Sequence, residues 1–207
     1  MRKYVTEFVG TFFLVFTVAM AAVGGNAGDL AGFAIGAVLM VMIFAGGHIS
    51  GAHYNPAVSM AIFQRGGLGW REMVNYWVAQ LAGAAAAALV ATQVFHVAAA
   101  SPMAIQKPQA LTAEFLFTFA LAFVVANVAT AKGTRDNSFY GLAIGFTVAS
   151  GAYAVGKVSG GVFNPAVGAA TGMLGVFAWG DVVAYWVVQL LAGAAAGRLF
   201  RYLHPGE

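Results

Sequence analysis

The chain has 207 residues, 61% hydrophobic and only 8% charged, whereas a soluble domain carries about 25% charged residues because its surface must face water. A water-soluble globular fold is therefore excluded, and the chain is read as facing lipid. The formal charge of +3 is scattered over short loops with no basic patch for nucleic acid, and the absence of cysteine excludes disulfides and thiol chemistry.

Taken in chain order, the first apolar segment runs over about 4–23, long enough at roughly 20 residues to cross a ~30 Å hydrocarbon core as a helix. Its start, Arg2-Lys3 followed by an apolar run to Ala19-Met20-Ala21, imitates a cleavable leader. The length of the run, the presence of Glu7 and a counterpart later in the chain favour a retained span. A second span is predicted over 31–49, followed by Gly46-Gly47-His48-Ile49-Ser50-Gly51-Ala52-His53-Tyr54 and then Asn55-Pro56-Ala57. Proline favours the first helical position and asparagine the preceding cap, so Asn55-Pro56 starts a helix. From Pro56 to Gln64 that helix reaches only ~14 Å, about half of the hydrocarbon thickness. It is read as a re-entrant half-helix.

Further spans are predicted over 71–96, 110–131 and 138–156. A second short segment begins at Asn164-Pro165-Ala166 and ends near Gly175, and a sixth span covers 180–203. The twenty-seven glycines lie mostly inside these segments, as expected where helices pack closely in lipid.

Sliding the sequence on itself by 109 residues lays Gly32-Phe-Ala-Ile-Gly36 on Gly141-Leu-Ala-Ile-Gly145 and Ser50-Gly51 on Ser159-Gly160. The same offset lays Asn55-Pro56-Ala57-Val58 on Asn164-Pro165-Ala166-Val167, and Tyr76-Trp77 with Gln80 on Tyr185-Trp186 with Gln189; Glu7 pairs with Glu114 at an offset of 107. The chain is thus a single domain over 1–207 made of two repeats, about 1–100 and 108–207. Each repeat holds an odd number of spans, so the second enters the membrane from the opposite side. Inverted repeats of this kind place their site near the midplane, where broken helices end. Two half-helices meeting there would bring Asn55 and Asn164 together, with the extended backbone before each presenting carbonyls to a path. The positive helix ends would oppose cations, and the asparagine amides would donate to a passing oxygen.

The two Asn-Pro-Ala motifs, the preceding His48-Ile-Ser-Gly51-Ala-His53 and the glutamates Glu7 and Glu114 resemble the aquaporin family over essentially the whole chain. The resemblance implies an all-α membrane protein of six transmembrane helices plus two re-entrant half-helices. It further implies a passive channel for water or small neutral solutes, a homotetramer with four independent pores, no enzyme activity and no cofactor. By the same resemblance Glu7 and Glu114 hold the two loops, and His48 and His53 are read as loop-supporting or pore-lining rather than as a metal pair, which would need further ligands.

The sequence departs from the family at its outer filter. Where most members have arginine after the second motif, this chain has Val167, and spacing from the motifs puts Ile35, Ala152 and Gly161 at the other filter positions. All are small or apolar, so a wider, greasier filter is expected, open to ammonia, urea, glycerol or hydrogen peroxide. Gly168 stands where glycerol channels commonly have aspartate, and Tyr185-Trp186 accompanies the water-type branch, so the classifying residues conflict. A secondary transporter built on inverted repeats is the alternative, with Glu7 and Glu114 as the only candidate coupling groups.

If the N-terminus is cytoplasmic, eight of the ten basic residues fall inside and only Lys107 and Lys157 outside. That asymmetry predicts both termini in the cytoplasm, and the short loops and termini point to a plasma (inner) membrane. Lys157 is read as a solvated loop lysine.

Overall fold

A computed structural model describes residues 1–207, all helical between its loops. Helix α1 (Arg2–Thr17) continues through a π-helical turn at Val18–Val23, and a 3₁₀ turn at Gly28–Leu30 leads into α2 (Ala31–Ser50). The half-helix α3 (Pro56–Gln64) and the span α4 (Trp70–Gln93) complete the first repeat. The second consists of α5 (Lys107–Thr130), α6 (Tyr140–Ser159), the half-helix α7 (Pro165–Met173) and α8 (Trp179–Leu203). Six of these helices are long and apolar enough to cross a membrane. Below, the face carrying both chain ends is called inner and the opposite face outer.

Packing follows the repeat. Helix α1 lies on α4 and α5 on α8, while α1 meets α2 as α5 meets α6. The repeats are joined by α2 against α6 and by each half-helix against the last span of the opposite repeat, α3 on α8 and α7 on α4. Glycine makes the central contacts possible. A Cβ on Gly36 would stand 2.5 Å from the Gly145 carbonyl oxygen, and one on Gly193 would stand 2.2 Å from that of Ala57. Without a hydrophobic force between helices in lipid, such backbone approach supplies the van der Waals contact that holds them.

The polar pattern is inverted relative to a soluble protein. Large apolar side chains such as Phe33, Leu116, Val187 and Leu191 are exposed, while Glu7, Glu114, Gln80 and Gln189 are fully buried. Several boundaries differ by two or three residues from the sequence expectation, α5 for instance beginning at Lys107 rather than 110. Helix α4 stops at Gln93 although apolar residues continue, because residues 94–106 turn back and bond the segment after α7, with Ala99 N–H on the Leu174 carbonyl and Met103 N–H on that of Val176, both at 2.8 Å. Helix α6 runs to Ser159, three residues past the expected end at 156.

Candidate functional site

Each half-helix is preceded by a loop of four residues, 51–54 and 160–163, with the same left-handed turns. Gly51 and Gly160 both have φ of 84°, Ala52 and Gly161 have 50° and 65°, and Tyr54 and Phe163 have 48° and 49°. Non-glycine residues adopt such angles only when the surroundings over-determine them.

Here a buried carboxylate does so. The Glu7 carboxylate accepts from Ser50 Oγ at 2.6 Å, His53 N at 3.0 Å, Tyr54 N at 2.7 Å and Gln80 Nε2 at 2.8 Å. Glu114 accepts from Ser159 Oγ at 2.7 Å, Val162 N at 2.9 Å, Phe163 N at 2.7 Å and Gln189 Nε2 at 2.8 Å. Hydrogen bonds to a charged acceptor are the strong ones, and they point the loop N–H groups away from the lumen. The loop carbonyls must then face the other way. Tyr76 and Tyr185 hydroxyls hold the first carbonyl of each approach, donating to Ser50 and Ser159 at 2.7 and 2.8 Å.

The asparagines join the halves. Each caps its own half-helix, Ala57 N donating to Asn55 Oδ1 at 2.8 Å and Ala166 N to Asn164 Oδ1 at 2.9 Å. Each also donates across the midplane, Asn55 Nδ2 to the Phe163 carbonyl and Asn164 Nδ2 to the Tyr54 carbonyl, both at 2.9 Å. An amide nitrogen carries two protons, so one on each asparagine remains unspent. Trp77 and Trp186 indoles brace the first turns, donating to the Pro56 and Pro165 carbonyls at 3.0 and 2.9 Å.

A cavity of about 200 Å³ runs past this junction, lined by 25 residues of which 18 are hydrophobic. Asn55 and Asn164 line it, as do Ile35, Ala152, Gly161 and Val167, the residues that spacing puts at the filter. Gly161 suits this position because a Cβ there would stand 3.3 Å from Ala152 Cα, narrowing the gap, and its φ disfavours any side chain. No lysine, arginine, aspartate or glutamate belongs to the lining. Lys157 is exposed on the last turn of α6, away from it.

The two histidines separate. His53 is buried, lines the cavity and bonds Ser59 Oγ through Nδ1 at 3.0 Å. His48, expected beside it as a loop support, is exposed on the last turn of α2, makes no hydrogen bond to the loop and borders a separate inner cavity with Arg135 and Tyr140. The turn at Gly51 and Ala52 sends the two in different directions. Sequence reasoning also missed Gln80 and Gln189 as partners of the carboxylates, and Ser59 as partner of His53. The available signal was an amide-bearing residue at matched places in two apolar helices.

A family model described as Major intrinsic protein matches residues 1–153 and 139–207. The chain belongs to the major intrinsic protein family. Aquaporin NIP1-1 of Oryza sativa subsp. japonica is 36% identical over 209 residues, 95% of this chain and 72% of that protein. Aquaporin NIP1-1 of Zea mays is 35% identical over 219 residues, 97% of this chain and 75% of the relative. Aquaporin NIP1-3 of Oryza sativa subsp. japonica is 39% identical over 176 residues, but that alignment spans only 61% of its length. The X-ray structure of the aquaglyceroporin from Plasmodium falciparum has the same fold, with a TM-score of 0.77 over 98% of this chain and 94% of that one at 22% identity. The protein is accordingly an integral membrane channel, passive toward water and small neutral solutes, rather than an enzyme or a coupled transporter.

Proposed function

We propose that permeant moves along the cavity between the loops, past Asn55 and Asn164, and through an outer constriction formed by Ile35, Ala152, Gly161 and Val167 that passes ammonia, urea, glycerol or hydrogen peroxide beside water. The observation carrying this reading is that these six residues share one lining that contains no lysine, arginine, aspartate or glutamate. Without a guanidinium in the path, size and dehydration decide entry. Ions meet the desolvation cost of an apolar wall and the positive ends of α3 and α7 at the centre. Glu7 and Glu114 act as structural acceptors, each saturated by hydrogen bonds and with no free edge toward the lumen.

The assembly is a homotetramer lying in the plasma (inner) membrane with both termini cytoplasmic. The basic residues favour that orientation, and the family resemblance favours the tetramer. Stopped-flow light scattering of proteoliposomes, first with an impermeant osmolyte and then with urea or glycerol, tests the permeation reading. Water and solute fluxes both above those of protein-free vesicles support it, and water flux alone refutes the wide filter.

A further inference from the structure

The two halves of the lining differ in hydrogen-bonding sense. In the outer loop every N–H is already spent: Gly160 N donates to the Gly156 carbonyl at 2.8 Å, Gly161 N to Ser159 Oγ at 3.2 Å, and Val162 and Phe163 N to Glu114. The carbonyls of Gly160, Gly161 and Val162 accept nothing from the protein. Among outer side chains, Ile35, Ala152 and Val167 have no polar atom, and the Thr171 hydroxyl donates its only proton to the Gly168 carbonyl at 2.9 Å. Nearby cations lie elsewhere, Lys157 exposed and outside the lining, Lys107 paired with Asp181 at 3.2 Å.

The inner half is not built this way. His53 turns its ring to the cavity, one nitrogen held by Ser59 and the other left to donate or accept. The equivalent outer positions are Val162 and Gly168, which remove that option. Free donors begin only at the midplane, with the unspent protons of Asn55 and Asn164.

We propose that the outer half is an acceptor-only filter, selecting small neutral solutes by their N–H and O–H donors as well as by their size. This rests on the reading of the cavity as the pore. An amide, ammonia or a hydroxylic solute entering the filter exchanges bonds to water for bonds to the Gly160, Gly161 and Val162 carbonyls. A solute of equal size with acceptors alone gives up its water and receives nothing back until it reaches the asparagines.

Urea and dimethyl sulfoxide each have four heavy atoms and one strong acceptor oxygen but differ in donors; because the sulfoxide is also bulkier, the change in their flux ratio between wild type and variants is the deciding comparison. In proteoliposomes, flux above protein-free vesicles should be roughly tenfold greater for urea. Val167→Thr, close in volume, and Val167→Gln, whose amide extends beyond the helix's own carbonyls, each add a donor and should lower the urea-to-sulfoxide ratio several-fold, read in variants whose own water flux shows an open pore. A wild-type ratio near one overturns the inference and leaves the wide pore standing, as does an unchanged ratio in both water-conducting variants. Water flux with neither solute would sink the wide filter and this inference together. No water flux at all would instead remove the assignment of the cavity as the pore.

Discussion

Asn55 donates its side-chain amide to the Phe163 carbonyl at 2.9 Å, so the cap of one half-helix is also a fastener for the loop of the opposite repeat. Asn164 returns the bond to Tyr54 at the same distance. Neither loop is complete without the other. Asn55→Ala and Asn164→Ala should each cost about 1–3 kcal/mol from the lost cap and the orphaned carbonyl. The double variant should depart from additivity by about 0.5 kcal/mol or more, as expected of residues in one network. Unfolding in detergent followed by tryptophan fluorescence measures this; strict additivity would show that the two loops are held independently.

Glu7→Gln and Glu114→Gln replace one acceptor oxygen with an NH₂ group that faces N–H donors of the loop. A buried hydrogen bond to a charged group contributes about 1.5–3 kcal/mol, and each carboxylate serves several donors. Both variants should give less folded protein and a lower unfolding midpoint, while the flux that survives remains indifferent to a proton gradient. Proton-driven uptake by the wild type that either substitution abolishes would contradict the structural role.

Gly193→Ala should be damaging in a way Gly180→Ala is not, although both lie in α8. The added Cβ at 193 meets the Ala57 carbonyl oxygen at 2.2 Å, whereas nothing lies within 4 Å at 180. Overpacking costs about 1–3 kcal/mol, while glycine to alanine on an open helix face is neutral or favourable. Because Ala57 follows Asn55-Pro56, the shift should also reduce water flux per folded protomer. Equal behaviour of the two variants would show that α3 and α8 are not held as tightly as the geometry requires.

The natural lack of cysteine makes orientation simple to test with single substitutions. Lys157→Cys and Tyr202→Cys place thiols at exposed sites on opposite faces, Tyr202 being 81% exposed. In intact cells a membrane-impermeant maleimide should label the first and spare the second until the membrane is opened. The reverse pattern would invert the topology.

Much of this architecture is legible in the sequence because lipid imposes a simple code of apolar length, and because duplication states each motif twice. The half-helices follow from Asn55-Pro56 and Asn164-Pro165, where cap and first-position chemistry are local. What the sequence conceals is long-range or directional. Gln80 and Gln189 reach Glu7 and Glu114 across 73 and 75 residues, contacts that exist only once α1 lies on α4 and α5 on α8. His48 and His53 look like a pair because spacing ignores the left-handed turn between them. The π turn at Val18–Val23 changes hydrogen-bond register within a uniformly apolar run, which leaves no compositional mark. Apolar content likewise carries the third span past Gln93, because hydropathy reports burial in lipid rather than continuity of the helix.

The claim on which the account depends most is that Val167 leaves the outer filter wide and without charge. It is tested most directly by water and urea or glycerol fluxes through wild type and Val167→Arg in matched proteoliposomes. The arginine places a charged fork among Ile35, Ala152 and Gly161, supplying donors to water while narrowing the opening. The wild type should pass both water and solute, and Val167→Arg should lower solute flux several-fold more than water flux. A wild type that conducts water and excludes every solute would contradict the account.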